Sequence, residues 1–310
     1  MSSPPHTLAR RLILLVAATA ALVAGIGGVA ILGWIAGWQV LAQPIPHEAP
    51  VQFNTAVGFV LLGAAMAAGA RGWRLPAGIA GAVIGFGALV TLSQDVFGWV
   101  AGVDQALFRT GVTAGTGAPG RMAPATALSF MLAAYVVIAW GARQQRAHGA
   151  HLAVPAALIV AVAGTALFGY ATGLSGTYGW SLYTRMSVVT AAGFFLLGAA
   201  FLVVAWFDGR SGAHSIPNWL PWGTVLAGVT ISIVIWYGLR TQELLESSRV
   251  AAAAGETVQR EVAGALAARV RLLERMAERW SSGHGADREA WASEVEPVMR
   301  DFPGFDSIQW

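Results

Sequence analysis

Cysteine and lysine are missing from all 310 residues, and acids are scarce over most of the chain. Without cysteine there are no disulfides, no thiolate metal sites and no cysteine nucleophile. Without lysine every fixed positive charge is Arg, and the pI near 9.8 reflects those Arg residues. They form no basic stripe of the kind a phosphate backbone needs, so nucleic acid is not an expected partner. Charged residues make up 11% of the chain and hydrophobic ones 56%, whereas soluble domains carry roughly 25% charged residues. Residues 1–240 hold four acids, Glu48, Asp95, Asp104 and Asp208, and the last 70 residues hold the other twelve. That shift near Arg240 marks a boundary between a membrane part and a water-exposed part.

What is abundant is a repeat. Thr55-Ala56-Val57-Gly58-Phe59, Thr126-Ala127-Leu128-Ser129-Phe130 and Thr190-Ala191-Ala192-Gly193-Phe194 share the pattern Thr-Ala-x-small-Phe, each followed by x-Leu-x-small. The copies are 71 and 64 residues apart, and the last two are each preceded by Arg-Met, at Arg121-Met122 and Arg185-Met186. Self-similarity at a near-constant period dictates architecture. Here it predicts one two-helix membrane unit used three times.

A membrane span needs about 20 apolar residues, and in lipid it must be helical to satisfy its own backbone. Seven stretches qualify: Leu12 to Trp34, Phe53 to Ala70, Leu75 to Leu92, Ala123 to Trp140, Val154 to Tyr170, Met186 to Trp206 and Trp219 to Tyr237. With three pairs formed by the last six, the expected grouping is one span plus three pairs. Gly81, Gly85, Gly87, Gly164 and Gly169 let such helices approach closely. Arg10, Arg11, Arg71, Arg74, Arg143, Arg146 and Arg210 fall on one side, against Arg109, Arg121 and Arg185 on the other. Positive charge concentrates inside, so the N-terminus is expected in the cytoplasm and everything after about residue 240 outside. Trp34, Trp38, Trp99, Trp180 and Trp236 then mark outer ends; Trp73, Trp140, Trp206, Trp219 and Trp222 mark inner ones. The first apolar run is longer than a signal-peptide core and lacks a clean cleavage site, so it reads as a retained anchor.

From Thr241 to Trp280 the pattern stays helical but turns polar. Val258, Val262, Leu266, Val270, Leu273, Met276 and Trp280 recur every three or four residues, with Glu256, Arg260, Glu261, Arg271 and Glu278 on the other faces. A stalk continuing from the last span, with its stripe as a homodimer seam or as packing for its own domain, is the expectation. Ser281-Ser282-Gly283-His284-Gly285 ends it; Asp287 to Met299 reads as a short helix; Phe305 to Trp310 begins an alternating strand. One strand makes no sheet, so the chain looks truncated inside a mixed α/β domain. The expected fold is thus an all-α polytopic membrane protein with an extracytoplasmic tail. It divides into a cytoplasmic N-terminus (1–11), a transmembrane domain (12–239), a stalk (240–281) and the start of a sensor domain (282–310).

The triple Thr-Ala-x-x-Phe unit, with the segment Gly102-Val103-Asp104-Gln105-Ala106-Leu107-Phe108, resembles the multi-span N-terminal region of bacterial sensor proteins. Trp280 ending the stalk, Trp291 in the next helix and Phe302-Pro303-Gly304-Phe305-Asp306-Ser307-Ile308-Gln309-Trp310 look like the start of a CHASE-type extracytoplasmic sensor domain. The resemblance implies the signal-input region of a sensor histidine kinase in the bacterial inner membrane, or of a diguanylate cyclase, responding to an unknown small-molecule signal. A small repeat-built transporter is the rival from another class. No phosphoacceptor-His helix, Gly-rich ATP lid or Gly-Gly-Asp/Glu-Glu-Phe loop stands in this chain, so neither catalysis nor a cofactor is expected in it.

Three residues are candidate ligand contacts. Asp95 lies near the outer end of the third span beside Gln94, where an acid marks a functional hypothesis or simply reaches the headgroups. Arg121 and Arg185 precede the fourth and sixth spans; they bind an anion, pair with Asp95 or Asp104, or snorkel to the interface. Thr55, Thr126 and Thr190 sit at equivalent depth, where a hydroxyl most commonly serves packing. His148 and His151 have a metal-compatible spacing but no nearby third ligand, so no metal is expected. Gly111 to Gly120 lacks the strand-and-helix setting of a phosphate loop.

Overall fold

The computed structural model describes residues 5–46, 48–109, 120–141, 150–173, 185–208, 220–282, 287–301 and 307–308. In chain order its helices are α1 (Pro5–Ala36), α2 (Gln39–Ala42), α3 (Phe53–Ala70), α4 (Arg74–Phe97), a 3-10 turn (Val103–Gln105), α5 (Pro124–Gly141), α6 (Ala150–Thr172), α7 (Val188–Asp208), α8 (Leu220–Ser282) and α9 (Arg288–Asp301). No strand occurs among the described residues. The strand expected at Phe305 to Trp310 lies almost wholly outside them, as do residues 111–119, His148 and the break at residues 283–285. Helices α1, α3, α4, α6, α7 and α8 are each long and apolar enough to cross a membrane, and Pro124–Trp140 is a shorter apolar helix.

The grouping of these helices corrects the expected one. The extensively packed pairs are α1 with α3, α4 with α5, and α6 with α7; α8 belongs to none of them. The order is therefore three pairs and then one, because the repeated motif marks the second helix of each unit rather than the first. Glycine sets the register inside each pair. A Cβ on Gly27 would stand 2.4 Å from the Ala56 carbonyl oxygen, and one on Gly63 would stand 2.5 Å from that of Ala20. Rising numbers on α1 thus meet falling numbers on α3, an antiparallel pair at backbone contact. Gly81 and Gly85 of α4 meet Ile138 and Ala134 of α5, and Gly198 of α7 meets Ala156 and Val160 of α6 in the same sense. Lipid is as apolar as these side chains, so close van der Waals packing must supply the attraction that burial supplies in water.

The three pairs close into a ring, since α3 also packs on α4, α5 on α6, and α7 back on α1. The motif helices α3, α5 and α7 lie inside, and their phenylalanines meet. Ring centroids are 5.4 Å apart for Phe59 and Phe130, 5.0 Å for Phe59 and Phe194, and 4.8 Å for Phe130 and Phe194. All three rings are at most 1% exposed. Three equivalent helices around three mutually packed rings form a pseudo-threefold bundle, with its core running from Val16 through Phe59, Phe130 and Phe194 to Val204.

The chain divides into two compact units, residues 1–244 and 245–310, four residues beyond the boundary read from charge. In the second unit Met276 is 2% exposed, and Arg279 pairs with Glu294. Asp287 stands immediately before helix α9, and its carboxylate accepts from Glu289 N–H at 3.3 Å, a usual way to satisfy a first-turn donor.

Gly27 and Gly28 offer a direct test of the register. In contrast to Gly27, a Cβ on Gly28 would meet nothing within 4 Å. Gly27→Val should lower stability in detergent by about 2 kcal/mol or more, the scale of overpacking a close contact, while Gly28→Val should leave the unfolding midpoint nearly unchanged. Equal effects of the two substitutions would contradict the α1–α3 packing.

Candidate functional site

Polar side chains gather at the end of the bundle where α3, α5 and α7 begin, called here the entry end. Thr55, Thr126 and Thr190 are each 2% exposed there, four residues ahead of their phenylalanines. Ser187 Oγ accepts from Thr190 N–H at 3.2 Å and lies 2.8 Å from the Thr190 hydroxyl, capping α7. Gln52 and Ala123 occupy the positions equivalent to Ser187; in each copy the backbone carbonyl accepts the first helical N–H, from Ala56, Ala127 and Ala191, at 2.9 Å.

Each helix pair is also fastened at this end. In the first, the Trp34 indole N–H of α1 donates to the Val51 carbonyl at 2.8 Å. In the third, the Tyr170 hydroxyl of α6 donates to the Met186 carbonyl at 2.6 Å. Val51 and Met186 stand at the same place, eight residues before Phe59 and Phe194. In both, a neutral hydrogen bond runs from the outer helix to the residue leading into the inner one.

The second pair does the same job with charge. Arg121, one residue before the equivalent Met122, donates through Nε to Asp104 at 3.0 Å and through a terminal nitrogen to Asp95 at 3.2 Å. Its other terminal nitrogen donates to Gln94 Oε1 at 3.3 Å. Gln94 Oε1 also accepts from Ala101 N–H at 2.7 Å, and Gln94 Nε2 donates to Asp104 at 3.2 Å. From α3, Asn54 Nδ2 reaches the Asp104 carbonyl at 3.0 Å and those of Val103 and Gly120 at 3.4 Å. Gly120 is required here: its φ is +79°, and a Cβ would stand 2.4 Å from the Asp104 carbonyl oxygen. The guanidinium therefore ties α4 and the 3-10 turn to the lead into α5, and the Asn54 amide fastens α3 to the same turn.

Among the described residues two carboxylates face one guanidinium here, and the side chains are 14% exposed for Arg121, 3% for Asp95 and 10% for Asp104. A buried charge is costly unless it is paired and hydrogen-bonded. Yet half of the acids in residues 1–240 are concentrated in this one place.

Two of the three candidate residues are thus brought together, and Arg121 pairs with both Asp95 and Asp104. Arg185 sits at the equivalent position ahead of α7; it is exposed, and none of the contacts above involves it. No pattern in the sequence marks Asn54, Trp34 or Tyr170 as part of such a site. Trp34 reads as an interfacial belt residue, and the three fastenings become comparable only once the helices are paired. Among the described residues no group of three or more His, Asp or Glu side chains gathers as a metal set would. The chain matches no family model, no curated protein and no solved structure.

The arrangement is a clamp on the segment between α4 and α5. Arg121→Ala would leave two buried carboxylates without their counter-ion, which should cost about 3–5 kcal/mol. Trp34→Phe and Tyr170→Phe each remove one neutral hydrogen bond and should cost about 1 kcal/mol. Chemical or thermal unfolding of the three variants in detergent checks the ranking, and an Arg121→Ala effect no larger than the other two would contradict it.

Proposed function

We propose that this chain is the membrane-embedded and extracytoplasmic signal-input region of a bacterial sensor histidine kinase, with a diguanylate cyclase as the alternative output. In this reading seven helices span the inner membrane, the N-terminus is cytoplasmic, and the residues after about 240 are outside, where a stalk pairs with a second copy. The observation that carries it is the bare face of α8. Val258, Val262, Leu266 and Val270 are 52–58% exposed on a helix whose other faces carry Glu256, Arg260, Glu261, Arg271 and Glu274. A charged helix cannot hide such a stripe in lipid, and a neighbouring stalk is what covers it. Two copies held in one membrane present this stripe in parallel and at the same height, which raises its effective concentration for pairing.

The bundle core favours input over transport. Transporters place polar groups and broken helices near the midplane. Here the axis is occupied by Phe59, Phe130 and Phe194, with the polar groups collected at one end. Signalling then requires two arrangements of one element whose balance a ligand shifts. Helix α8 is that element in this proposal: the last apolar run and the stalk belong to the same helix, Leu220–Ser282.

Reporter fusions after residues 147 and 245 test the topology, with cytoplasmic activity expected at the first and periplasmic activity at the second. The absence of native cysteine makes the seam testable as well. Single cysteines at Val262 and Leu266 should crosslink between copies in membranes, and cysteines at Arg260 and Arg271 should not. Equal crosslinking at all four, or none at the first two, would overturn the seam.

A further inference from the structure

We propose that the groove between α1 and α7, on the side away from the entry end, binds one anionic phospholipid. Its acyl chain lies between the two helices and its phosphate at Arg10 and Arg11. The inference goes beyond the input reading. It rests on the apolar helices crossing a membrane, and on neither the output domain nor the direction of insertion.

The groove follows from how the ring closes. Within a pair, glycine brings one helix against the backbone of the other, as Gly63 does for α3 and α1. Where α7 closes on α1 the contact is an ordinary one between side chains. A Cβ on Gly193 would stand 3.5 Å from Ile26 Cδ1, and Val189 packs on the cluster of Ala30, Val51 and Ala56. Both contacts lie in the half nearer the entry end. Farther along, the two helices leave a space of about 280 Å³ between them. Leu15 and Leu22 of α1 and Leu196 and Val203 of α7 line it, 37–46% exposed. Ala18 and Ala200 line it as well, and their side chains are too short to fill it. Lost dispersion contacts make such a space costly to leave unfilled, and in a membrane the filler at hand is an acyl chain.

Charge at one end of the groove selects the lipid. Arg11 precedes Leu15 by four residues, and Ala18 and Leu22 follow at steps of three and four, so all four share one face of α1. From Arg11 to Leu22 the helix rises about 16 Å, close to half of a hydrocarbon core about 30 Å thick. A phosphate at Arg11 therefore sits at the edge of the hydrocarbon, and its chain follows the groove to about mid-membrane. Arg10 and Arg11 are both exposed, and Arg71 and Arg74 stand at the same end, after α3 and at the start of α4. Of the four acids in residues 1–240 only Asp208 falls there; the other three belong to the entry end. A basic end beside an apolar groove complements both parts of an anionic phospholipid, its head and its tail.

Native mass spectrometry of the whole purified chain, titrated with phosphatidylglycerol and with phosphatidylcholine of the same acyl chains, tests the site. A one-to-one complex with phosphatidylglycerol should be tighter by about tenfold or more, since each Arg near an anionic head group is worth roughly fivefold. Arg10→Gln together with Arg11→Gln should bring the two lipids within about twofold of each other. Ala18→Phe fills the groove and should abolish the complex. Ala17→Phe, exposed on the same helix but not in the groove lining, should leave it unchanged. Equal affinity of the native chain for the two lipids overturns the proposal. So does a preference that survives the paired Arg substitutions, or a complex that survives Ala18→Phe or is lost equally with Ala17→Phe. Should a variant fail to fold, glycerophosphoglycerol, the head group without tails, decides on the native chain. It should not displace phosphatidylglycerol; displacement would leave a phosphate site in which the groove has no part. Reporter fusions that reversed the proposed orientation would change the leaflet and leave the site standing.

Discussion

The ring of Phe130 reaches the bundle axis because residue 58 has no side chain. A Cβ there would lie 2.6 Å from Phe130 Cζ, and a Cβ on Gly193 would lie 3.1 Å from Phe59 Cζ. The residues before Phe59 and Phe194 are therefore seats for another copy's ring. The equivalent residue in the second copy is Ser129, fully buried, with its hydroxyl turned back to the Ala125 carbonyl at 2.8 Å. The ring pairs are tilted or edge-on, at 51–77°, the geometry that places a ring's positive edge on its neighbour's negative face. Everything else in the bundle follows from this triangle. It fixes the depth of α3, α5 and α7, and so brings the three threonines and the three fastenings to one level.

Much of this was legible in the chain itself, for reasons that differ by element. The apolar runs gave helices because backbone satisfaction in lipid leaves no alternative. The motif gave equivalence, since Thr-Ala-x-small-Phe is a packing specification written three times. Pairing was not legible. The contacts that decide it, such as Gly27 on Ala56 or Gly198 on Ala156, join glycines to backbone atoms and leave no trace in the identity of the partner. A lone first span was the natural reading of a motif that appears only on the inner helices. The helix expected over Thr241 to Trp280 is present as part of α8, and the short helix near Trp291 begins one residue after Asp287.

The site was half legible for a similar reason. Arg121 and Asp104 lie 17 residues apart and Arg121 and Asp95 lie 26 apart, with α4's end and a turn between them. Scarcity of charge in an apolar chain made each of these residues conspicuous, and pairing among them was one of three readings left open for Arg121. Asn54 was invisible because it acts on carbonyl oxygens, and any residue has those. Arg185 looked as informative as Arg121, since both precede Met and Thr at the same spacing. The difference lies in the partner helix: the last turns of α4 carry Gln94 and Asp95, while that of α6 carries Tyr170, whose hydroxyl takes the Met186 backbone.

The spacing along α8 adds a constraint on how two stalks could meet. From Val258 to Trp280 the stripe advances in steps of four, four, four, three, three and four residues. That is roughly 3.7 residues per turn, closer to an eleven-residue repeat than to the heptad's 3.5, so the seam need not wind left-handedly to stay in contact. Nearly straight helices suit small side chains, and Ala251, Ala254, Gly255 and Ala265 lie on or beside this face. A straight seam also bears on transmission. In a left-handed coil a shift along the axis is coupled to rotation through the supercoil, whereas parallel straight helices can slide or turn separately. In the proposed input reading, a signal carried by such a seam travels along α8 as displacement with little rotation, a distinction drawn from the spacing of the stripe alone.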